Sequence, residues 1–259
     1  MVDMKKMLSK SILDLVNSYQ YLPIAGKLIS CPYFKNRAGV RVGYKVAVGK
    51  GTPHEIAEEV EIRSKINKYD LNNVSIYEIR QFMEKQGLGV DCSGFVVQLL
   101  NVIDSKVVIK LAKRNFLKNP YRALISRMRP IENISADRLT SGKRVRKIED
   151  LNKIEPGNLI RTRRGKHLLI VIGTYTGEDD KINKVVYAHA TLYYGKESGV
   201  RIGEINITSL EKHLKDQDWQ EKDENENNPT YQGYLDDDGS NGIYKLIDEF
   251  DISKGVCKA

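Results

Sequence analysis

The chain predicts an α+β domain, with helices first and an antiparallel sheet after them. Three observations carry this. Helical apolar patterns recur up to about residue 103. Strand-like apolar runs begin near residue 158. Gly, Asp or Asn stands between most of those runs. The 259 residues are ample for a closed core, and 41% hydrophobic with 29% charged residues is ordinary globular usage, which excludes wholesale disorder. No apolar stretch reaches the roughly 18 residues that a membrane span needs.

The elements follow in order. Residues 1–22, MVDMKKMLSKSILDLVNSYQYL, read as an amphipathic helix with Leu8, Ile12, Leu15 and Val16 on one face. Acidic and polar residues interrupt what a secretory leader would keep apolar, and no small-residue cleavage site follows. With neither signal peptide nor membrane span visible, the location is cytoplasmic by default. Thr52 and Pro53 open a second helix, HEIAEEVEIRSKINKY. Ser75 opens a third, SIYEIRQFMEKQ, which Gly87 closes. CSGFVVQLLNVI follows Asp91 and is apolar nearly all round, the pattern of a buried helix. The strands are NLIRTRR, HLLIVIGTY, KVVYAHATL, VRIGEINI and GIYKLIDEF, with Gly177, Glu178, Asp179 and Asp180 as an enlarged hairpin turn between the second and third.

Charge is uneven against a net +8. Residues 106–148 hold thirteen Lys or Arg against Glu132 and Asp137, and residues 216–238 hold nine acids against Lys222. The basic stretch alternates cations with apolar residues over 107–128 and is split by Pro120, so it reads as a helix pair with one buried and one solvated face. A sharper reading is a docking surface for an anionic polymer or membrane. No nucleic-acid-binding motif accompanies it, so sequence-specific nucleic acid is not a partner. The acidic stretch, poor in aliphatic residues, reads as a long solvated loop.

Cys31, Cys92 and Cys257 form no C-x-x-C pair, so neither a disulfide framework nor a zinc site is expected. Cys92 stands apart. With Asp91 as N-cap it falls in the first turn of the buried helix. There free N–H groups and the helix dipole favour a thiolate and can hold an oxyanion. Gly94, one turn in, leaves room for close approach of a backbone or substrate. The plain alternative is an inert thiol opening a core helix. His54 and His213 lie in charged, surface-like segments. His167 and His189 lie on neighbouring strands that, paired as a hairpin, bring both rings to one face. A thiol needs a base and the base needs an orienter, roles that suit His167 and His189 in turn.

Asp91-Cys92-Ser93-Gly94-Phe95-Val96 resembles the nucleophile motif of the NlpC-type cell-wall cysteine peptidases, a papain-like family. Three further stretches match in order. Residues 155–160, EPGNLI, resemble the family's PGDLI strand entry. Residues 167–173, HLLIVIG, resemble its HVGIVIG base strand. Residues 187–190, YAHA, followed by Gly199-Val200-Arg201, resemble its IHAS…GVR segment. The resemblance spans roughly residues 85–207, and its order differs from that of the circularly permuted relatives. It implies a papain-like fold with Cys92 as nucleophile, His167 as base and His189 as third polar residue, supported by Asp91, Ser93 and Gly94. Asn158 replaces the family's usual Asp. Its Pro-Tyr motif finds a counterpart only in Pro32-Tyr33, far upstream, which offers Tyr33 as a substrate-side residue or a packed loop aromatic. Domain limits follow: residues 1–74 a helical extension, 75–252 the catalytic domain, with a basic insertion at about 105–148 and an acidic loop at about 216–239.

The implied activity is hydrolysis of an amide in the peptide stem of peptidoglycan, with muropeptide or peptide substrates and no cofactor. Two alternatives remain: an acyltransferase on lipid or amine substrates using the same Cys-His chemistry, and a non-catalytic cell-wall or polyanion binding module.

Overall fold

Side chains at three helix starts tie down free backbone N–H groups, and those helices begin where the sequence says. Thr52 and Glu55 form a reciprocal capping box at the head of one helix, as do Ser75 and Glu78 at the next, which Gly87 closes in a left-handed conformation. Asp91 caps the third. The computed structural model describes residues 4–35, 45–113, 120–247 and 256–258. In chain order these form β1 (Met4–Leu8), α1 (Lys10–Gln20), the small hairpin β2 (Leu22–Ile24) and β3 (Lys27–Ile29), α2 (Pro53–Ile66), α3 (Ile76–Gln86), α4 (Cys92–Ile103), α5 (Ser105–Ala112), α6 (Pro120–Met128) and α7 (Ala136–Leu139). There follow β4 (Val145–Ile148), β5 (Leu159–Thr162), β6 (His167–Thr176), β7 (Ile182–Thr191), β8 (Gly199–Asn206), β9 (Asp218–Trp219), α8 (Pro229–Leu235), β10 (Gly242–Leu246) and β11 (Val256–Lys258). The mixed α+β class is as expected, with eight helices among the described residues.

The main sheet is antiparallel throughout, in the order β4-β10-β5-β6-β7-β8-β9. On one edge of β6, β5 pairs with the first half and β1 with the second, Met4 opposite Thr176 and Met7 opposite Gly173. Side chains alternate across the sheet. Leu168, Ile170 and Ala188 enter the core that holds Phe95 and Leu99 of α4 with Leu8, Ile12 and Val16. Leu169, Val171, Tyr187, Ile205 and Trp219 form a second core on the opposite face. A fully buried Phe or Leu contributes about 1.5–3 kcal/mol, so α4, buried from Cys92 to Leu100, is held firmly to the sheet. No helix among the described residues is long and apolar enough to cross a membrane.

Several expectations need correction. The N-terminal helix starts only at Lys10, because residues 4–7 pair with β6 and Leu8 with β11, partners no local pattern reveals. The acidic stretch is not a solvated loop. It holds β9, α8 and buried Trp219, whose ring packs on Tyr187, Tyr231 and Tyr234. The basic insertion contains α5 and α6 but also β4, paired with β10. The strand expected to run to Arg164 ends at Thr162, where Arg163 and Arg164 adopt φ of 52° and 56° and turn the chain into β6. The last expected strand stops at Leu246, and residues 248–250 lie outside the described ones.

Candidate active site at the start of a buried helix

The first turn of α4 is assembled around Asp91. One of its carboxylate oxygens accepts from the Gly94 N–H, the Ser93 hydroxyl and the Lys50 ammonium. Gly94 is required by backbone contact: a Cβ there would sit 2.1 Å from the Gly49 carbonyl oxygen, which also accepts from Asp91 N–H. The close approach expected of Gly94 is therefore to backbone. Cys92 is 5% exposed. Its thiol faces the Lys166 carbonyl, 3.9 Å away, and lies beside the Tyr33 hydroxyl.

The thiol's charge state differs from the expectation. Burial, with the Asp91 charge added, pushes Cys92 up to about 11, against the pull of Lys50, Tyr33 and the Ser93 N–H. Helix-end donors do act on the sulfur, but loss of water outweighs them. The resting group is a neutral thiol.

Tyr33 reaches this turn across almost sixty residues. Pro32 bridges Gly199 at the start of β8, and Tyr33 bridges Val90, just before α4. Both crossings are glycine contacts, since a Cβ on Gly199 would lie 2.2 Å from the Cys31 carbonyl oxygen and one on Gly89 2.3 Å from that of Pro32. Tyr33 thus stands beside the nucleophile candidate. Its hydroxyl is pushed well above its ordinary value by burial and by the charges of Cys92 and Asp91, so it stays protonated.

The two histidines meet as the hairpin register implies. His167 Nε2 lies 2.9 Å from His189 Nδ1, and His189 Nε2 lies 3.1 Å from a Glu221 carboxylate oxygen. Glu221 comes from the acidic stretch and was not anticipated. Its carboxylate, 2% exposed, also accepts from Arg201, Tyr187 and Thr230. Burial alone would raise its pKa, but the His189, Arg201 and Tyr187 contacts prevail and hold it well below the usual carboxylate range.

An ionised carboxylate only accepts, so His189 donates through Nε2. With a neutral His189 ring, Nδ1 accepts from His167 Nε2–H and His167 Nδ1 keeps its lone pair; with a charged ring the bond between the two histidines runs the other way. Burial first, and then neighbouring positive charge such as that of Arg163, holds His167 well below the usual histidine value, hence neutral.

By strand alternation the rings share the sheet face of Tyr187, opposite the face on which α4 packs. Helix and relay meet at the rim, where residue 166 touches the sulfur and residue 167 carries the ring. Among the described residues the sulfur makes no hydrogen bond to the His167 ring. Beside it opens a groove of about 510 Å³, lined by Tyr33, Lys50, Asp91, Ser93, Glu132 and Leu192. Tyr193, next to Leu192, sets its ring edge-on to His167 at 6.2 Å and carries the Arg163 guanidinium on its face.

No family model, curated protein or solved structure matches this chain. Among the described residues no group of three or more His, Cys, Asp or Glu side chains is disposed to hold a metal ion. His54 is exposed and paired with Glu58, away from the relay. Two residues escaped sequence reasoning. Glu221 is hidden among nine acids, and its signal is the neighbouring Trp219 with Tyr231 and Tyr234, aromatics that a solvated loop would not carry. Lys50 sits between Gly49 and Gly51, a backbone signal for close packing that says nothing of its charge.

The neutral His167 has a consequence for stability. Its folded pKa lies below the unfolded value of about 6.5, so its contribution is present above pH 6.5 and is lost as the pH falls toward the folded pKa. The slope approaches about 1.4 kcal/mol per pH unit for one proton. Urea unfolding at pH 7.5 and 5.5 is expected to show lower stability at 5.5, with less loss in His167→Gln. Equal loss in both proteins would rule this origin out.

Proposed function

We propose that the chain is a papain-like cysteine hydrolase that cleaves an amide in the peptide stem of peptidoglycan. The observation that supports this most is the hydrogen-bonded series Glu221–His189–His167, whose last residue directly follows Lys166, the residue whose carbonyl faces the Cys92 sulfur. The Cys92 proton passes to His167 Nδ1 as the sulfur attacks the amide carbonyl carbon. A turn about the Cα–Cβ bond carries the sulfur from the Lys166 carbonyl toward the ring. First-turn N–H groups hold the oxyanion. The C–N bond breaks, the amine leaves with the proton from His167, and a thioester remains. Water, deprotonated by the same nitrogen, then releases the carboxylic acid and restores the thiol. The substrate class comes from the motif resemblance, which points to a bond between a D- and an L-residue or a nearby linkage. The test is muropeptide digestion followed by mass spectrometry. The expected result is one new amine and one new carboxyl per cut, lost on replacing Cys92. Intact muropeptides after prolonged incubation with the folded protein would remove this substrate class.

A second reading, acyl transfer at a lipid surface, is favoured by α6. This helix buries Ala123 and Ser126 and exposes Tyr121, Leu124 and Met128 on one face, at 74%, 52% and 73%, the reverse of a soluble amphipathic helix. Exposed Arg129 follows it. An anionic vesicle offers both an apolar layer and negative charge. On this reading the protein sediments with phosphatidylglycerol vesicles, and Leu124→Ser with Met128→Ser releases it. A protein that ignores the vesicles, or binds them equally without those side chains, has another use for this face.

A further inference from the structure

Lys50 is a cation enclosed at the wall of the groove, 4% exposed, on a segment clamped to the first turn of α4. The Gly49 carbonyl accepts from Asp91 N–H, the Lys50 carbonyl accepts from the Gln98 side chain, and the bare Cα of Gly94 lies against Gly49. The ammonium lies 2.9 Å from Asp91 and bonds to the Ser93 hydroxyl. Its two partners are the residues on either side of Cys92.

The ion pair buries Lys50 but leaves the Asp91 side chain a quarter exposed, so the ammonium is desolvated while water screens the attraction, and the pair is a weak stability device. Its position gives it another use. Asp91 is needed as the cap of α4, yet its charge stands next to a sulfur that must become negative, and like charges oppose ionisation.

We infer that Lys50 is the internal counter-ion of this turn: it neutralises Asp91 beside Cys92 and so acts as a positioning residue that lets the sulfur carry charge. The inference rests on the reading of Cys92 as the nucleophile. It also closes the niche between Asp91 and Ser93 to a cationic group of the substrate, since an ammonium already fills it. The electrostatic directions agree, Asp91 raising the thiol's pKa and Lys50 lowering it.

The test reads the thiol and needs no substrate. The rate of iodoacetamide alkylation at Cys92 is followed against pH by peptide mass spectrometry in the wild type, Lys50→Met, Lys50→Arg, Asp91→Asn and the double variant Lys50→Met with Asp91→Asn. Raising a thiol's pKa by about 1 lowers its thiolate fraction about tenfold at a fixed pH below that pKa. Lys50→Met is therefore expected to slow alkylation about tenfold at pH 8, and Lys50→Arg to recover most of the rate. Asp91→Asn, which keeps a capping side chain, is expected to speed alkylation, and the double variant to return to near the wild-type profile. If Lys50→Met unfolds the chain, Asp91→Asn still decides, because it must speed alkylation. Unchanged profiles, or a double variant as slow as Lys50→Met, would overturn the proposal. Inactivity on muropeptides with the expected alkylation series would remove the hydrolase and leave the counter-ion standing.

Discussion

Replacing Glu221 by Ala is expected to cost about 3–5 kcal/mol of stability, the penalty for removing one partner of a buried, hydrogen-bonded charge pair. The carboxylate takes bonds from His189 at 3.1 Å, Arg201 at 2.8 Å, and the Tyr187 and Thr230 hydroxyls at 2.9 Å each. All four donors lose an acceptor; Arg201 keeps Glu197 and the Lys222 carbonyl, and Thr230 keeps the Tyr194 hydroxyl, while His189 and Tyr187 are left without a replacement among the described residues. Against a typical total of about 5–15 kcal/mol, that loss is large. Glu221→Gln separates chemistry from folding. Gln keeps the shape but can present an N–H toward His189, which reverses the tautomers and leaves His167 Nδ1 without its lone pair. By analogy with an amide replacing the carboxylate of a catalytic triad, the turnover loss is on the order of 10³–10⁴-fold. Urea unfolding and muropeptide turnover of both variants check this. A Gln variant with normal turnover would show that the direction of the relay is irrelevant.

What the sequence made legible was local. The cap at Asp91, the buried helix after it, the box at Ser75 and the apolar runs that became β6 and β7 all follow from neighbours within a few residues, and so did the shared face of His167 and His189. What it concealed was non-local. Residues 4–8 form a strand only because the edge of β6 is open beyond β5 and β11 pairs alongside. Glu221 joins the relay only because Trp219 packs behind it. Tyr33 reaches Cys92 through backbone crossings at Gly89 and Gly199. The direction in which the Cys92 pKa moves was also beyond local reading. The dipole belongs to the helix and can be read from the cap, whereas the desolvation that overrides it depends on what β6 and Tyr33 bring against the sulfur.

Cys92→Ala is expected to abolish hydrolysis, by at least about 10⁴-fold, while leaving the fold intact. The two effects separate because the sulfur, though part of the core, makes only weak polar contacts, one of them to a carbonyl at 3.9 Å, and Ala leaves only a small void. The stability change should stay near about 1 kcal/mol. Cys92→Ser is the sharper probe. It keeps a hydroxyl in the same turn, but an alkoxide is far harder to form than a thiolate, and this site already resists charge strongly enough to hold a thiol at about 11. The Ser variant is therefore expected to be nearly as inactive as the Ala one while still binding muropeptide. Binding by both variants, with cleavage only by the wild type, fits a nucleophile and not a ligand-holding relic. Cleavage that persists in Cys92→Ala would leave the relay without a nucleophile, and with it the hydrolase reading would go.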